Sequence, residues 1–231
     1  LIPALTFVAT ANAVAHCNAI PHFVDSEEST LGIDSTKLRK YLLGNTSQIS
    51  GQCINKKTGR IIRALVPMHT FGLPCRIAEI THICADWDIA LIEDAAESLG
   101  SYVDRRHTGT FASMATLSFN GNKIITTGGG GMIITDNLEL AERAKHITTT
   151  AKVPHPYEFV HDEIGYNFRM SNLNAALACA QLEQLNSFVQ NKRKLAFEYS
   201  NFFESIGVNF RTELPNTKAN YWLMCIELEN K

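Results

Sequence analysis

One lysine, Lys123, stands five residues after Ser118 and five before a run of four glycines, Gly128 to Gly131. It follows a short apolar stretch over 114–119. A lysine so placed can be held away from bulk water; desolvation disfavours the ammonium form and turns the side chain into an amine nucleophile. The glycines let backbone approach a ligand and offer unobstructed N–H groups. Upstream, Asp94 closes the run Ala90-Leu91-Ile92-Glu93. A carboxylate at the carboxyl end of a strand in an open α/β sheet faces the ligand crevice. Lys123, Asp94, Ser118 and the glycine N–H groups together meet the needs of pyridoxal 5'-phosphate: an amine for the Schiff base, an acid to keep the ring nitrogen protonated, and donors for the phosphate. Each also has a plainer duty. Asp94 can cap a turn over 95–97, and the glycines can be only a turn, since they match neither the Walker spacing nor Gly-x-Gly-x-x-Gly.

The elements that must position these residues are legible as strand–helix–strand units. Residues 61–66 read as a buried strand, 76–87 as a helix with apolar residues at 77, 80, 83, 84 and 87, and 90–92 as the next strand. Further strands are expected over 20–25, 115–119 and 131–135, and helices over 10–16, 37–43 and 138–146, with Asp34 to Thr36 as the cap of the second. Residues 45–59 read as a polar surface loop and 148–165 as irregular. Helices follow over 172–185 and 188–206, the last ended by Gly207, then strands over 208–210 and 222–228. This is the pattern of a mostly parallel sheet covered on both faces, with the start of a second, smaller unit behind it.

The 231 residues suffice for one substantial core and part of another. Apolar residues make up 45% and charged residues 19%, and the formal net charge is −2. That balance suits a globular protein and points away from nucleic-acid and membrane-surface partners. Six scattered cysteines without Cys-x-x-Cys spacing suggest a reducing, cytoplasmic setting, with no metal site. The opening residue Leu1 and the late strand at the end of the chain suggest an internal fragment of a longer protein.

Three spaced motifs carry a family resemblance. These are Glu93-Asp94-Ala95-Ala96-Glu97-Ser98-Leu99-Gly100, then Ser118-Phe119-x-x-x-Lys123 with the glycine run, then Gly165-Tyr166-Asn167-Phe168-Arg169-Met170. With Thr6-Phe7-x-Ala9-Thr10-x-Asn12-Ala13, they resemble the DegT/DnrJ/EryC1/StrS family of pyridoxal-phosphate-dependent sugar aminotransferases. The phrases 5–13 and Pro67-Met68-His69-Thr70-Phe71-Gly72 look closest to its LegC-like branch.

The resemblance implies a fold-type I transferase-like α/β architecture, with a cofactor-binding large domain over 1–186 and the start of a small α+β domain over 187–231. It implies Lys123 as the Schiff-base lysine and Asp94 on the pyridine nitrogen. Glu97 stands where many members carry glutamine or histidine near the ring's phenolic oxygen. Ser118 would bind the phosphate, Phe7 would pack near the ring, and Asn167 would reach the phosphate of the other subunit in a homodimer with shared active sites. Arg169 would approach the substrate diphosphate, or form an ordinary ion pair. His69 would stand near the sugar, or be a hydrogen-bonded histidine at a strand end. The family's upstream Gly-Thr phosphate turn is missing from this stretch.

The activity so implied is amino transfer from a donor, glutamate, to a nucleotide-linked keto-sugar, with position 4 of the sugar preferred. The alternatives are a sugar dehydratase of the same fold, which carries histidine where Lys123 stands, a non-catalytic cofactor-binding regulator, and a phosphate-binding module built on the glycine run.

Overall fold

The computed structural model describes residues 1–228. Its centre is a four-stranded sheet in the spatial order Ala64–Leu65, Ala90–Asp94, Met114–Ser118, Gly131–Ile134. The first three strands run parallel and the last returns antiparallel. Two parallel pairings put the carboxyl ends of Ala90–Asp94 and Met114–Ser118 side by side, with Asp94 opposite Thr116. Residues 67–69 extend the sheet on the other side of Asp94: its N–H donates to the Pro67 carbonyl at 2.9 Å, and its own carbonyl accepts from His69 N–H at 3.3 Å.

Helices pack on this sheet through separate clusters. Leu38 and Leu42 of the helix Ser35–Asn45, with Ile77, Ile80 and Ile83 of Ile77–Asp86, meet Leu65 and Leu91 of the sheet. Ala95, Leu117, Phe119 and Ile125 meet Leu185 and Phe188 of the long helix Leu185–Ser205. The expected cap holds: the Asp34 carboxylate accepts from Lys37 N–H at 2.9 Å. Helices Leu138–Thr148 and Asn172–Glu183 form close to their expected spans, capped by the side chains of Asn137 and Ser171, and Val8–His16 starts two residues earlier than expected, with no side-chain cap.

Three stretches differ from the sequence reading. The polar segment 45–59 is a hairpin, Thr46–Ile49 against Gln52–Asn55, turned by Ser50 (φ 51°) and Gly51 (φ 73°). Two positive φ values in a two-residue turn match the twist of a hairpin. Only Ala64–Leu65 of the expected strand 61–66 joins the sheet, because Ile61 bridges Ile54 and Ile62 N–H donates to the Cys53 carbonyl. Only Ile226–Glu227 of the expected strand 222–228 pairs, with Asn209–Phe210.

The segment before it is tied elsewhere. Thr217–Lys218 adds to Tyr102–Val103, and Leu223 N–H donates to the Phe71 carbonyl. Thus the chain beyond the long helix returns to the carboxyl end of the central sheet. Among the described residues no helix is long and apolar enough to cross a membrane.

Candidate active site

Lys123 lies in the connection 119–130 between the antiparallel strands Met114–Ser118 and Gly131–Ile134. Phe119 and Ile125, both 1% exposed, anchor that connection in the core on either side of the lysine. Close approach of the two strands requires glycine at position 131, because a Cβ there would lie 2.5 Å from the Leu117 carbonyl oxygen. The Lys123 side chain is 13% exposed. Burial pushes its ammonium pKa below the ordinary lysine value, and the Glu97 and Asp94 carboxylates pull it part of the way back. Asp94 and Lys123 are therefore close enough for the carboxylate's charge to act on the amine.

Asp94 is held at both oxygens. Oδ1 accepts from Ala96 N–H at 3.2 Å, the turn-capping role, and Oδ2 accepts from the Thr10 hydroxyl at 2.8 Å. Thr10 comes from the first turn of Val8–His16 and is 5% exposed. Each carboxylate oxygen retains a second acceptor site, so the anchored carboxylate can still accept from a protonated ring nitrogen.

Glu97 sits between Lys123 and the 70–72 turn. Its Oε1 is 3.9 Å from Lys123 Nζ, beyond hydrogen-bond reach, and its Oε2 accepts from Phe71 N–H at 2.7 Å. Burial raises its carboxyl pKa; the Phe71 N–H and Lys123 oppose that, and the Asp94 charge adds to it. Phe71 is held at φ 58° and ψ 15°, a left-handed conformation that costs a residue with a Cβ about 1–2 kcal/mol. At Gly72 (φ 89°) a Cβ would lie 1.8 Å from Asn220 Oδ1.

Ser118 ends its strand opposite Gly131, half-buried, with Oγ accepting only weakly from Asn120 N–H at 3.4 Å. Phe7 is 66% exposed at the start of the helix that carries Thr10. Asn167 and Arg169 are exposed, and the Asn167 backbone bridges to Thr149. Among the described residues neither side chain makes a hydrogen bond or ion pair with Lys123, although the neighbouring Met170 packs beside Phe119 and Ile125.

His69 is corrected. It is 0% exposed, Nδ1 accepts from Cys75 N–H at 3.2 Å, and Nε2 meets Glu93 Oε2 at 3.0 Å. With both ring nitrogens engaged inside the protein it has none to offer a sugar. Its partner Glu93 also accepts from the backbone N–H groups of Gly109, Phe111 and Ala112. Burial pushes the Glu93 carboxyl up, but the His69 and backbone hydrogen bonds outweigh it and hold the group below the usual range. The pair ties the 69–75 and 109–112 segments to the strand that ends in Asp94.

Three contributors escape a reading of single residues: Thr10, Asn220 and Trp222. Thr10 lies inside the Thr6-to-Ala13 motif, so a signal exists for it. Trp222 reads only as a strand residue, yet its ring centroid lies 3.8 Å from Lys123 Nζ.

The donor set fits the phosphorylated pyridine aldehyde expected from the sequence. A desolvated lysine amine, an anchored carboxylate with a free acceptor site, a strand-end hydroxyl and an exposed aromatic are all present. A metal-type cluster of His146, Asp162 and Glu163 lies apart from them, with Glu163 already engaged by Arg143.

Comparison with known proteins identifies the family. The model of the DegT/DnrJ/EryC1/StrS aminotransferase family matches residues 1–231. The GDP-perosamine synthase of Escherichia coli O157:H7 is 34% identical over 226 residues, covering 98% of this chain and 57% of that protein. The dTDP-4-dehydro-2,3,6-trideoxy-D-glucose 4-aminotransferase of Saccharopolyspora spinosa is 28% identical over 239 residues, covering 96% and 58%. The crystal structure of a DegT/DnrJ/EryC1/StrS aminotransferase from Brucella abortus superposes with a TM-score of 0.87 at 27% identity, over 99% of this chain and 58% of that one. The chain thus spans a little over half the length of the relatives it matches.

Proposed function

This chain belongs to the DegT/DnrJ/EryC1/StrS aminotransferase family, and on that footing we propose that the whole protein transfers an amino group from glutamate to a nucleotide-linked 4-keto-6-deoxy sugar. The observation that carries the proposal is the part-buried Lys123 amine, 3.9 Å from Glu97 Oε1 and under the charge of Asp94, at the carboxyl end of the parallel strands. Two relatives whose names contain nucleotide-linked sugars, one of them a 4-dehydro sugar 4-aminotransferase, support the substrate class and the ring position.

Pyridoxal 5'-phosphate, when bound, supplies the electron sink that makes the donor's α-proton labile. Lys123 Nζ is the group that takes that proton and gives it back, general base and then general acid. Burial lowers the pKa of Lys123 and so favours the neutral amine that a base must be, and Glu97 steadies the ammonium that results. Asp94, held by Thr10 and Ala96, keeps the ring nitrogen protonated.

Ser118 Oγ and backbone N–H groups of the glycine run hold the phosphate, Phe7 packs on the ring, and Arg169 meets the diphosphate of the substrate. Asn167 serves the site of a second copy. Its surroundings suit that: Ile164, Phe168 and Leu173 are 84%, 71% and 85% exposed, an apolar surface of the kind that a homodimer covers. The division into a large domain over 1–186 and the start of a small one over 187–231 belongs to the same proposal.

The test is a panel assay. The full-length protein, loaded with pyridoxal 5'-phosphate, is incubated with glutamate and a series of nucleotide-linked keto-sugars, and products are weighed by mass spectrometry. A product carrying an amine in place of the carbonyl oxygen supports the reading. Loss of water from a sugar without amine gain favours the dehydratase, and no product with any amino donor overturns the transferase.

A further inference from the structure

Trp222 meets the lysine hairpin from one hundred residues further along the chain, and it does so twice. Its indole N–H donates to the Asn122 carbonyl at 2.6 Å, fixing the peptide that precedes Lys123. Its ring face lies 3.8 Å from Lys123 Nζ, within the range of a cation–π contact. A tryptophan that merely filled core would need a partner for its N–H, but not a ring face turned to an amine.

Trp222 is itself rigidly hung. Its backbone N–H donates to Asn220 Oδ1 at 2.8 Å, and the fully buried Asn220 donates through Nδ2 to the Glu97 and Leu99 carbonyls, both at 2.9 Å. Asn220 N–H donates to Ser101 Oγ at 2.9 Å. The Trp222 ring and the Glu97 carboxylate are therefore mounted on one turn, 97–101, and take Lys123 between them. Glu97 and Asp94 are the charged groups that act on the amine, and Lys192 donates to the Trp222 carbonyl at 3.1 Å.

We propose that Trp222 is a positioning residue for the Lys123 amine: it braces the backbone at Asn122 and parks the free ammonium on its ring face, so that the amine returns to one place whenever it is released. The proposal rests on the reading of Lys123 as the working amine and adds to it a residue from the chain's far end.

The experiment uses the full-length protein freed of cofactor, with Trp222→Phe and Trp222→Leu. Lys123 is labelled with an amine-acylating reagent across a pH series and quantified by peptide mass. The leucine variant loses the ring face, and its labelling midpoint is expected about half to one pH unit lower; the phenylalanine variant keeps a face and stays near wild type. At a pH above every midpoint, capture of added pyridoxal 5'-phosphate, followed by its visible band, is expected to slow several-fold in both variants, because both lose the bond to Asn122.

Should the leucine variant fail to fold, the same question is put to intact Trp222. Trp222 emission, taken as the difference between the protein and its Trp222→Phe variant, is expected to titrate with the Lys123 midpoint, and to be flat in the same difference taken on Lys123→Met. Unshifted midpoints with wild-type capture rates, or Trp222 emission indifferent to Lys123, overturn the proposal. Absence of any visible band in the wild type counts against the cofactor reading alone, since labelling and emission still judge Trp222.

Discussion

Thr10 donates its hydroxyl to Asp94 Oδ2 at 2.8 Å across 84 residues of sequence. The first turn of one helix thus sets the direction of the carboxylate at the end of the central strand. Asp94 is aimed by a hydroxyl and a backbone N–H rather than by a counter-ion, which leaves its charge available to the pocket.

Replacing Thr10 by valine keeps the volume and removes the hydroxyl. A hydrogen bond to a charged group is worth about 1.5–3 kcal/mol, so a stability loss of about 2 kcal/mol is expected in denaturant titration. Retention of pyridoxal 5'-phosphate through dialysis is expected to fall with it. A valine variant that keeps both stability and cofactor would show that Thr10 does not orient Asp94.

Glu97→Gln isolates the charge beside Lys123. The amide oxygen still accepts from Phe71 N–H, so the strained turn keeps its anchor. The negative charge that raises the lysine's pKa is gone. The labelling midpoint of Lys123 is expected to drop by about one pH unit. An unchanged midpoint would mean that the 3.9 Å contact has no electrostatic consequence.

Glu93 carries a pH-dependent share of stability. Its folded-state pKa lies below the ordinary 4.5. The stabilisation it provides is therefore complete above that value and is lost as the pH falls through the folded one. Glu93→Gln cannot accept at both ends, and leaves a buried N–H facing N–H. It is expected to cost about 3 kcal/mol near neutral pH, with the gap to wild type narrowing in urea titrations below about pH 4.5. A gap independent of pH would rule out an ionised Glu93 in the fold.

Asn167→Ala tests the shared site. The backbone bridge from Asn167 to Thr149 survives the change, so the fold is expected to persist. Cofactor affinity is expected to weaken roughly tenfold, the value of one hydrogen bond to a phosphate. In mixed dimers with Lys123→Ala, only one of the two sites then carries both defects, and half the wild-type capacity returns. Full capacity in a monomer would contradict the assignment.

Much of this site is legible in the sequence because its parts are local. The run Ala90-Leu91-Ile92 ending in Glu93-Asp94 announces a strand and what stands at its tip, and the apolar run before Ser118 does the same. The glycines mark a place where backbone crowds backbone, and at Gly131 it does. What is not legible depends on residues distant in sequence. Nothing local separates His69 as sugar ligand from His69 as buried partner of Glu93; the answer lies in Cys75 and in the 109–112 turn. Trp222 sits in an apolar run, Tyr221-Trp222-Leu223-Met224, that reads as strand, and only the bonds of Trp222 to Asn220 and of Leu223 to Phe71 take the run out of one. The hairpin at 46–55 is hidden because its strands are short and largely polar although Thr46, Cys53 and Asn55 are buried, and its clearest mark is the Ser50-Gly51 turn.

The most direct measurement is borohydride reduction of the full-length protein with pyridoxal 5'-phosphate, followed by peptide mapping. The expected result is loss of the visible band with the reduced pyridoxyl mass on Lys123, and neither band nor mass on that peptide in Lys123→Ala. A label fixed on another lysine, or a band that survives in Lys123→Ala, would contradict the assignment of Lys123 as the amine at the centre of this site.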